Sequence, residues 1–259
     1  MLNAVNIMDN SSYVTLAKET VKRNLSVDDL IKKLINLIDM GGKSENTLFE
    51  AVYDLFFLYF PEAANLSQTK ESFAKITANG VGRKEVSGIL GIDGGSMGYD
   101  FDDDDLQLLS TVVNELGNVH ILLDMVGQRL ERIMASRYVN LTRVSGYELS
   151  ARLVSLSGGI KKLAYMPSSR IQVIGSDKSR FSRRSAARGP KYGVIFKHEK
   201  VEAADQSRKG RVARIVASKI SMAAKLDLFS GEDKSAALIE EMDREIAEIG
   251  RHGTAERNR

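Results

Sequence analysis

Cysteine and tryptophan are both absent from the 259 residues. No disulfide and no thiolate metal site can form. Histidine is scarce. His120, His198 and His252 lie far apart, so neither a metal-ligand spacing nor a nucleophilic triad emerges. Only three prolines occur, with few turn clusters, which favours helices over a β-sandwich. No stretch approaches the ~20 apolar residues needed to cross a bilayer. The run LFFLYF at 55–60 is short and is closed by Pro61. No basic start followed by an apolar run marks a secretory signal. These absences predict a soluble intracellular protein with no cofactor, no metal and no membrane partner.

Charge is the quantity that is unevenly spread. The whole chain carries only +3, yet residues 137–225 hold 20 Lys and Arg against 5 Asp and Glu. The flanks are acidic, with net charges of −8 over residues 1–136 and −4 over 226–259. A strongly basic segment between two acidic ones points to a polyanion, above all nucleic acid.

Apolar periodicity supplies the architecture. Residues 1–25 are weakly patterned and read as a loose arm or short helix. Ser26, Asp28 and Asp29 then open a helix, with acidic groups suited to its N-terminal dipole. Ile31, Leu34, Ile38, Leu48, Val52, Leu55 and Tyr59 follow at spacings that put them on one helical stripe. Gly41 and Gly42 interrupt it, each costing roughly 1 kcal/mol against Ala, so a kink or a break is expected there. A shorter helix is expected over about 66–75, then a glycine-rich connection. Residues 102–105, all Asp, open the clearest helix, which runs to about Arg137. Leu106, Leu109, Val113, Leu116, Leu123, Leu130 and Met134 form its seam, with His120 and Gly127 as misfits. His120 reads as a packed or partner-facing residue rather than a metal ligand. A parallel stripe of Val112, Val119, Val126 and Ile133 widens the apolar face beyond what a two-helix seam needs. About 35 residues at ~1.5 Å each make a rod of roughly 50 Å. The two long helices read as an antiparallel coiled-coil hairpin, with a stripe left over for a further helix or a second copy.

Beyond Tyr138 the pattern changes to compact helices at about 146–154 and 160–164. Residues 171–174 read as a brief β-like segment ending at Gly175. An amphipathic helix follows at about 209–228. It turns Val212, Ile215, Val216, Ile220, Ala223 and Ala224 inward and Arg211, Arg214, Lys219 and Lys225 mostly outward. A final helix ends near Ile249. The expected divisions are an arm (1–25), the hairpin (26–137), a basic helical domain (138–250) and a disordered tail (251–259).

Nothing in this pattern is catalytic. Gly42-Lys43-Ser44 resembles the end of a phosphate-binding loop, but the first glycine of that motif would fall on Leu37 and no strand precedes it. The basic stretch is the candidate site. Lys178, Arg180, Arg183, Arg184, Arg188 and Lys191 fall within fourteen residues rich in Ser and Gly. Arginine forks onto phosphates, and the interleaved Phe181 and Tyr192 suit stacking on unpaired bases or a helix end. A second basic patch, with Lys209, Arg211 and Arg214, opens the helix that follows.

Several segments together resemble the Nop-domain family, the scaffold proteins of box C/D RNA-guided 2′-O-methylation particles and a related spliceosomal assembly factor. They are EAVYDLFFLYFPE (50–62), GGSMGYDFDDDDL (94–106), the run from Asn140 to Phe181, GPKYGVIF (189–196) and KGRVARIVASKISMAAKLD (209–227). The resemblance implies an all-α protein: a long antiparallel coiled-coil hairpin plus a compact helical Nop domain. It implies a composite partner, a kink-turn (box C/D-like) RNA with a small kink-turn-binding protein already seated on it. It also implies pairing with a second Nop-type chain, as a homo- or heterodimer, through the hairpin. The family's Gly-Ala-Glu-Lys signature falls on Gly175, Ser176, Asp177 and Lys178, and Arg183 and Arg184 occupy the loop set against an RNA helix end. The family's usual Gly-Gln pair after GVIF is Glu202-Ala203 here. Methylation-machinery members carry a preceding domain that holds a fibrillarin-like methyltransferase. About 25 residues precede the first long helix here, so the chain reads as a short form, and that partner is the one least carried over by the resemblance. The compartment implied is the cytoplasm, or the nucleolus in a eukaryote. The rival readings are a general polyanion-binding coiled-coil protein and an RNA-modifying enzyme.

Overall fold

A computed structural model describes residues 10–92, 95–176 and 193–257. Among them there is no strand. The helices are α1 (Asn10–Asn24), α2 (Val27–Tyr59), α3 (Pro61–Leu66), α4 (Lys70–Thr77), α5 (Arg83–Leu90), α6 (Asp103–Arg137), α7 (Val139–Ser145), α8 (Tyr147–Ser157), α9 (Ile160–Tyr165), α10 (Ser168–Val173), α11 (Glu199–Glu202), α12 (Lys209–Phe229) and α13 (Ser235–Arg257). A 3-10 turn covers Val194–Lys197. No described helix is long and apolar enough to cross a membrane. The chain divides into two compact units, one of residues 36–129 and one of residues 1–35 with 130–259.

Both long helices start on side-chain caps, reciprocal at α6. Asp29 Oδ2 accepts from the Ser26 amide and hydroxyl, each at 2.9 Å. Asp102 Oδ1 accepts from the Asp105 amide at 2.9 Å, and Asp105 Oδ2 accepts from the Asp102 amide at 3.4 Å. Each arrangement satisfies amide donors that a helix start leaves unpaired. The aspartate run is thus a helix start.

In the unit of residues 36–129, α2 and α6 run antiparallel. Gly41 lies against Leu123, Glu45 meets His120, and the Tyr59 ring lies 4.9 Å from that of Phe101. Val52, Phe56, Tyr59, Leu109 and Leu116 share one core with Phe60, Phe73 and Val86. Leu106 and Val113 pack on its edge. The glycines at 41 and 42 do not break the helix, since α2 is continuous from Val27 to Tyr59. A Cβ on Gly41 would stand 2.5 Å from Leu123 Cδ2, so this glycine answers to the close approach of α6. Ser44, in the rejected phosphate-loop motif, returns its hydroxyl to the Met40 carbonyl inside the helix.

His120 is not packed in the seam. Its side chain is exposed and its Nδ1 lies 2.8 Å from Glu45 Oε1. Lys70 Nζ donates to the other Glu45 oxygen at 2.8 Å. Burial alone would raise the Glu45 pKa, but the bonds from Lys70 and His120 outweigh it and hold the carboxyl below its usual range.

The single helix expected over 66–75 is two, α3 and α4, split at residues 67–69. Pro61 opens α3 at its first turn, where a missing amide costs nothing. Thr69 and Ser72 cap α4 reciprocally. Arg83 closes this end of the hairpin. Its Nη2 donates to the carbonyls of Tyr59, Gly98 and Tyr99, its Nη1 meets Asp100 at 2.6 Å, and its guanidinium lies 4.7 Å above the Tyr59 ring. Thus α2's last carbonyl, that of Tyr59, is satisfied by an arginine.

The other unit is built on α12. Val212, Ala213, Val216, Ala217, Ile220, Ala223 and Ala224 are buried, and four alanines in that set allow α7, α9, α10 and α13 to pack closely against it. Asp227 accepts from the amides of Asn140 and Leu141 and from Asn140 Nδ2, capping α7, while Asn140 Oδ1 accepts from the Lys234 amide. Asp28 accepts from the Tyr138 hydroxyl and, at 3.0 Å, from the Ile160 amide.

Three expectations for this unit change. Residues 168–173 are helical, not β-like: Pro167 presets the helix start, and buried Ile171 faces inward from α10, which packs on α12. Lys219 points inward, with only 2% of its side chain exposed, and binds Glu245 at 2.6 Å and Glu241 at 2.9 Å on α13. Finally, α13 continues past Ile249 to Arg257.

Candidate nucleic-acid interface

The basic stretch enters and leaves the fold at one place. The Val194 amide donates to the Ile174 carbonyl at 2.9 Å, so the two stems touch. Two glycines make that contact possible. A Cβ on Gly193 would lie 2.3 Å from the Ile174 carbonyl oxygen, backbone that cannot yield. Gly175 has φ +80°, and a Cβ there would lie 2.6 Å from Val194 Cγ1. The next residue, Ser176, returns its hydroxyl to Val173 at 2.7 Å.

These stems are tied to the start of α12. Gln172 Nε2 donates to the Gly210 carbonyl at 3.1 Å. Lys209 is half-buried there, while Arg211 and Arg214, three residues apart on one helical face, are exposed. Arg170 on α10 and Lys197 on the 3-10 turn are exposed as well. None of these five cations pairs with a carboxylate among the described residues. Arg208, just before α12, does, lying 3.8 Å from Asp205.

His198 holds the outgoing stem. It is buried, its Nδ1 accepts from the Lys200 amide and its Nε2 donates to the Val144 carbonyl at 2.9 Å. The bond to Nδ1 puts the proton of the neutral ring on Nε2. No group of His, Asp or Glu among the described residues can hold a metal ion.

Of the residues singled out from sequence, Gly175, Lys209, Arg211 and Arg214 therefore come to one end of α10 and α12. Lys178, Arg180, Arg183, Arg184, Arg188, Lys191 and Tyr192 lie outside the described residues. On the hairpin seam, Leu109, Leu116 and Leu130 are buried, and Leu106, Val113 and Leu123 half-buried. Sequence reasoning passed over Gln172 and Gly193. A glycine on each side of the basic stretch was the available signal for paired stems.

Among the described residues the fold is all-α, with a two-helix hairpin and a compact helical unit that presents exposed cations at the start of α12. The family model for the Nop domain, described as "snoRNA binding domain, fibrillarin", matches residues 37–249. The chain belongs to the Nop family. It is 29% identical over 252 residues to an uncharacterized NOP5 family protein of Methanocaldococcus jannaschii, covering 91% of this chain and 61% of that protein. It is 28% identical over 236 residues to nucleolar protein 56 of Dictyostelium discoideum, covering 83% of this chain and 43% of that one. The chain thus spans 61% and 43% of the length of these curated relatives. The fold is similar to that in the crystal structure of a fibrillarin/Nop5p complex, with a TM-score of 0.56 and 20% identity over 92% of this chain and 76% of that one.

Proposed function

We propose that this chain is a non-enzymatic scaffold of a box C/D-type ribonucleoprotein. Its compact unit grips a kink-turn RNA together with the small protein seated on that RNA. The observation that carries this reading is the cluster of unpaired cations at the start of α12, tied by Gln172 to the glycine stems of the basic stretch. Phosphates can reach such cations directly, since among the described residues no carboxylate has to be displaced from them. The family's description as a snoRNA-binding domain supports the same reading.

The hairpin pairs with a second Nop-type chain. Leu37, Met40, Ile121, Leu122 and Met125 are all exposed on α2 and α6 within one unit. An exposed apolar set of this kind suits a partner helix. The Nop5p relative of known structure is in complex with fibrillarin.

The test is a gel shift on kink-turn RNA, with and without the kink-turn-binding protein. The partner should raise affinity, and absence of any gain overturns the composite reading. Replacing Arg211 and Arg214 by Ala should weaken the ternary complex and reduce the slope of log K against log salt by about one per lost phosphate contact. An unchanged slope removes the start of α12 from the interface.

A further inference from the structure

The far end of α12 carries a second surface. Tyr165 at the end of α9 and Phe229 at the end of α12 are 68% and 63% exposed, yet their rings touch, with centroids 5.8 Å apart and planes at 83°. Two large rings are held against each other in water, edge to face, which leaves ring faces open. Each ring has an exposed lysine four residues before it on its own helix, Lys161 on α9 and Lys225 on α12. Residues four apart share a helical face. The packing of α9 on α12 therefore puts two aromatic rings and two ammonium groups on one patch. Neither lysine meets a carboxylate among the described residues. The acidic residue nearest in sequence, Asp227, is occupied by the amides of Asn140 and Leu141. Phe229 lies nineteen positions along α12 from Gly210, which at ~1.5 Å per step is about 28 Å.

We propose that Tyr165, Phe229, Lys161 and Lys225 form a stacking platform for unpaired RNA, separate from the cationic end at Gly175 and Arg211. One or two bases stack on the rings, and the lysines take the flanking phosphates. This is the chemistry by which single strands are held without sequence preference. An apolar protein partner would have no use for two free ammonium groups, and a phosphate-only ligand would have no use for two exposed rings. The inference rests on the chain being an RNA binder, but on different residues from those of the proposed kink-turn site.

The test uses the full chain and two fluorescein-labelled strands of about ten nucleotides, oligouridylate and an abasic strand of equal charge. Anisotropy titrations should show tighter binding of oligouridylate, by about tenfold or more. The double change Tyr165→Ala, Phe229→Ala should erase that preference. Exchanging the rings, Tyr165→Phe with Phe229→Tyr, should keep it, which separates loss of stacking from loss of fold. Lys161→Ala with Lys225→Ala should weaken both strands and lower the salt slope by about 1.4, the value for two contacts to a single strand. Arg211→Ala with Arg214→Ala should leave the base preference intact, so failure of the kink-turn reading and failure of this one remain distinguishable. Equal affinity for the two strands overturns the platform. So does a preference that survives loss of both rings, or displacement of the RNA by polyglutamate as effective as by unlabelled oligouridylate.

Discussion

Lys219 is buried to 2% exposure between α12 and α13, while its partners Glu241 and Glu245 remain 51% and 40% exposed. That asymmetry fixes which changes hurt. Burial alone would lower the lysine pKa, but the bonds to Glu245 and Glu241 outweigh it and hold the group above its ordinary value. Lys219→Ala removes three buried methylenes at about 0.8 kcal/mol each and leaves a cavity, so a cost of about 3 kcal/mol is expected. Lys219→Met keeps an apolar stem of similar length. The two carboxylates it abandons rehydrate, so its cost should stay near 1 kcal/mol or below. Glu241→Gln with Glu245→Gln does the reverse. It keeps the shape above the ammonium but removes the compensating charge, at about 3 kcal/mol. Adding Lys219→Met to that double variant should then restore about 2 kcal/mol, since the uncompensated charge disappears. Urea unfolding followed by circular dichroism reads these differences as shifts in midpoint. A methionine variant as damaged as the double glutamine variant, or no rescue on combining them, would refute the idea that burial of this one charge controls the docking of α13.

Three further outcomes are expected. Gly42→Ala should stabilise the protein by about 1 kcal/mol, because a Cβ there meets nothing within 4 Å and the helix gains propensity. Gly41→Ala should gain less, because Leu123 must move, and should recover the full gain in a Leu123→Ala background; thermal melts resolve this at ~2–4 °C per kcal/mol. Tyr138 titrates well above its ordinary range, through burial first and then its bond to Asp28. Its folded pKa is raised, so its contribution is complete below the unfolded value of about 10 and is lost as pH climbs through and beyond it. Stability measured from pH 8 to 11 should therefore fall more steeply in the parent than in Tyr138→Phe.

The long helices were legible because α2 and α6 repeat an apolar pattern over many turns, and their capping aspartates stand in plain view in the sequence. The helix at Ser168–Val173 was not, because six residues are too few to show a period and Ile171, Val173 and Ile174 carry β-branched side chains that also suit strands. Lys219 was misplaced for another reason. Its own helix offers no clue to its burial, since the carboxylates that make burial tolerable lie on α13. The same holds for His120, whose fate depends on Glu45, 75 residues away in sequence. For the candidate interface, residue type and charge were visible, but the contact between Ile174 and Val194 is a long-range event that no local pattern encodes.

That stem contact has an evolutionary corollary. A segment whose two ends are already fastened together can be lengthened, shortened or rewritten at little thermodynamic expense, since doubling a closed loop adds only about 0.6 kcal/mol of entropy. Changing the number of residues between Gly175 and Gly193 should therefore cost the packing of α10 on α12 little, since the stem contact between Ile174 and Val194 lies outside the change.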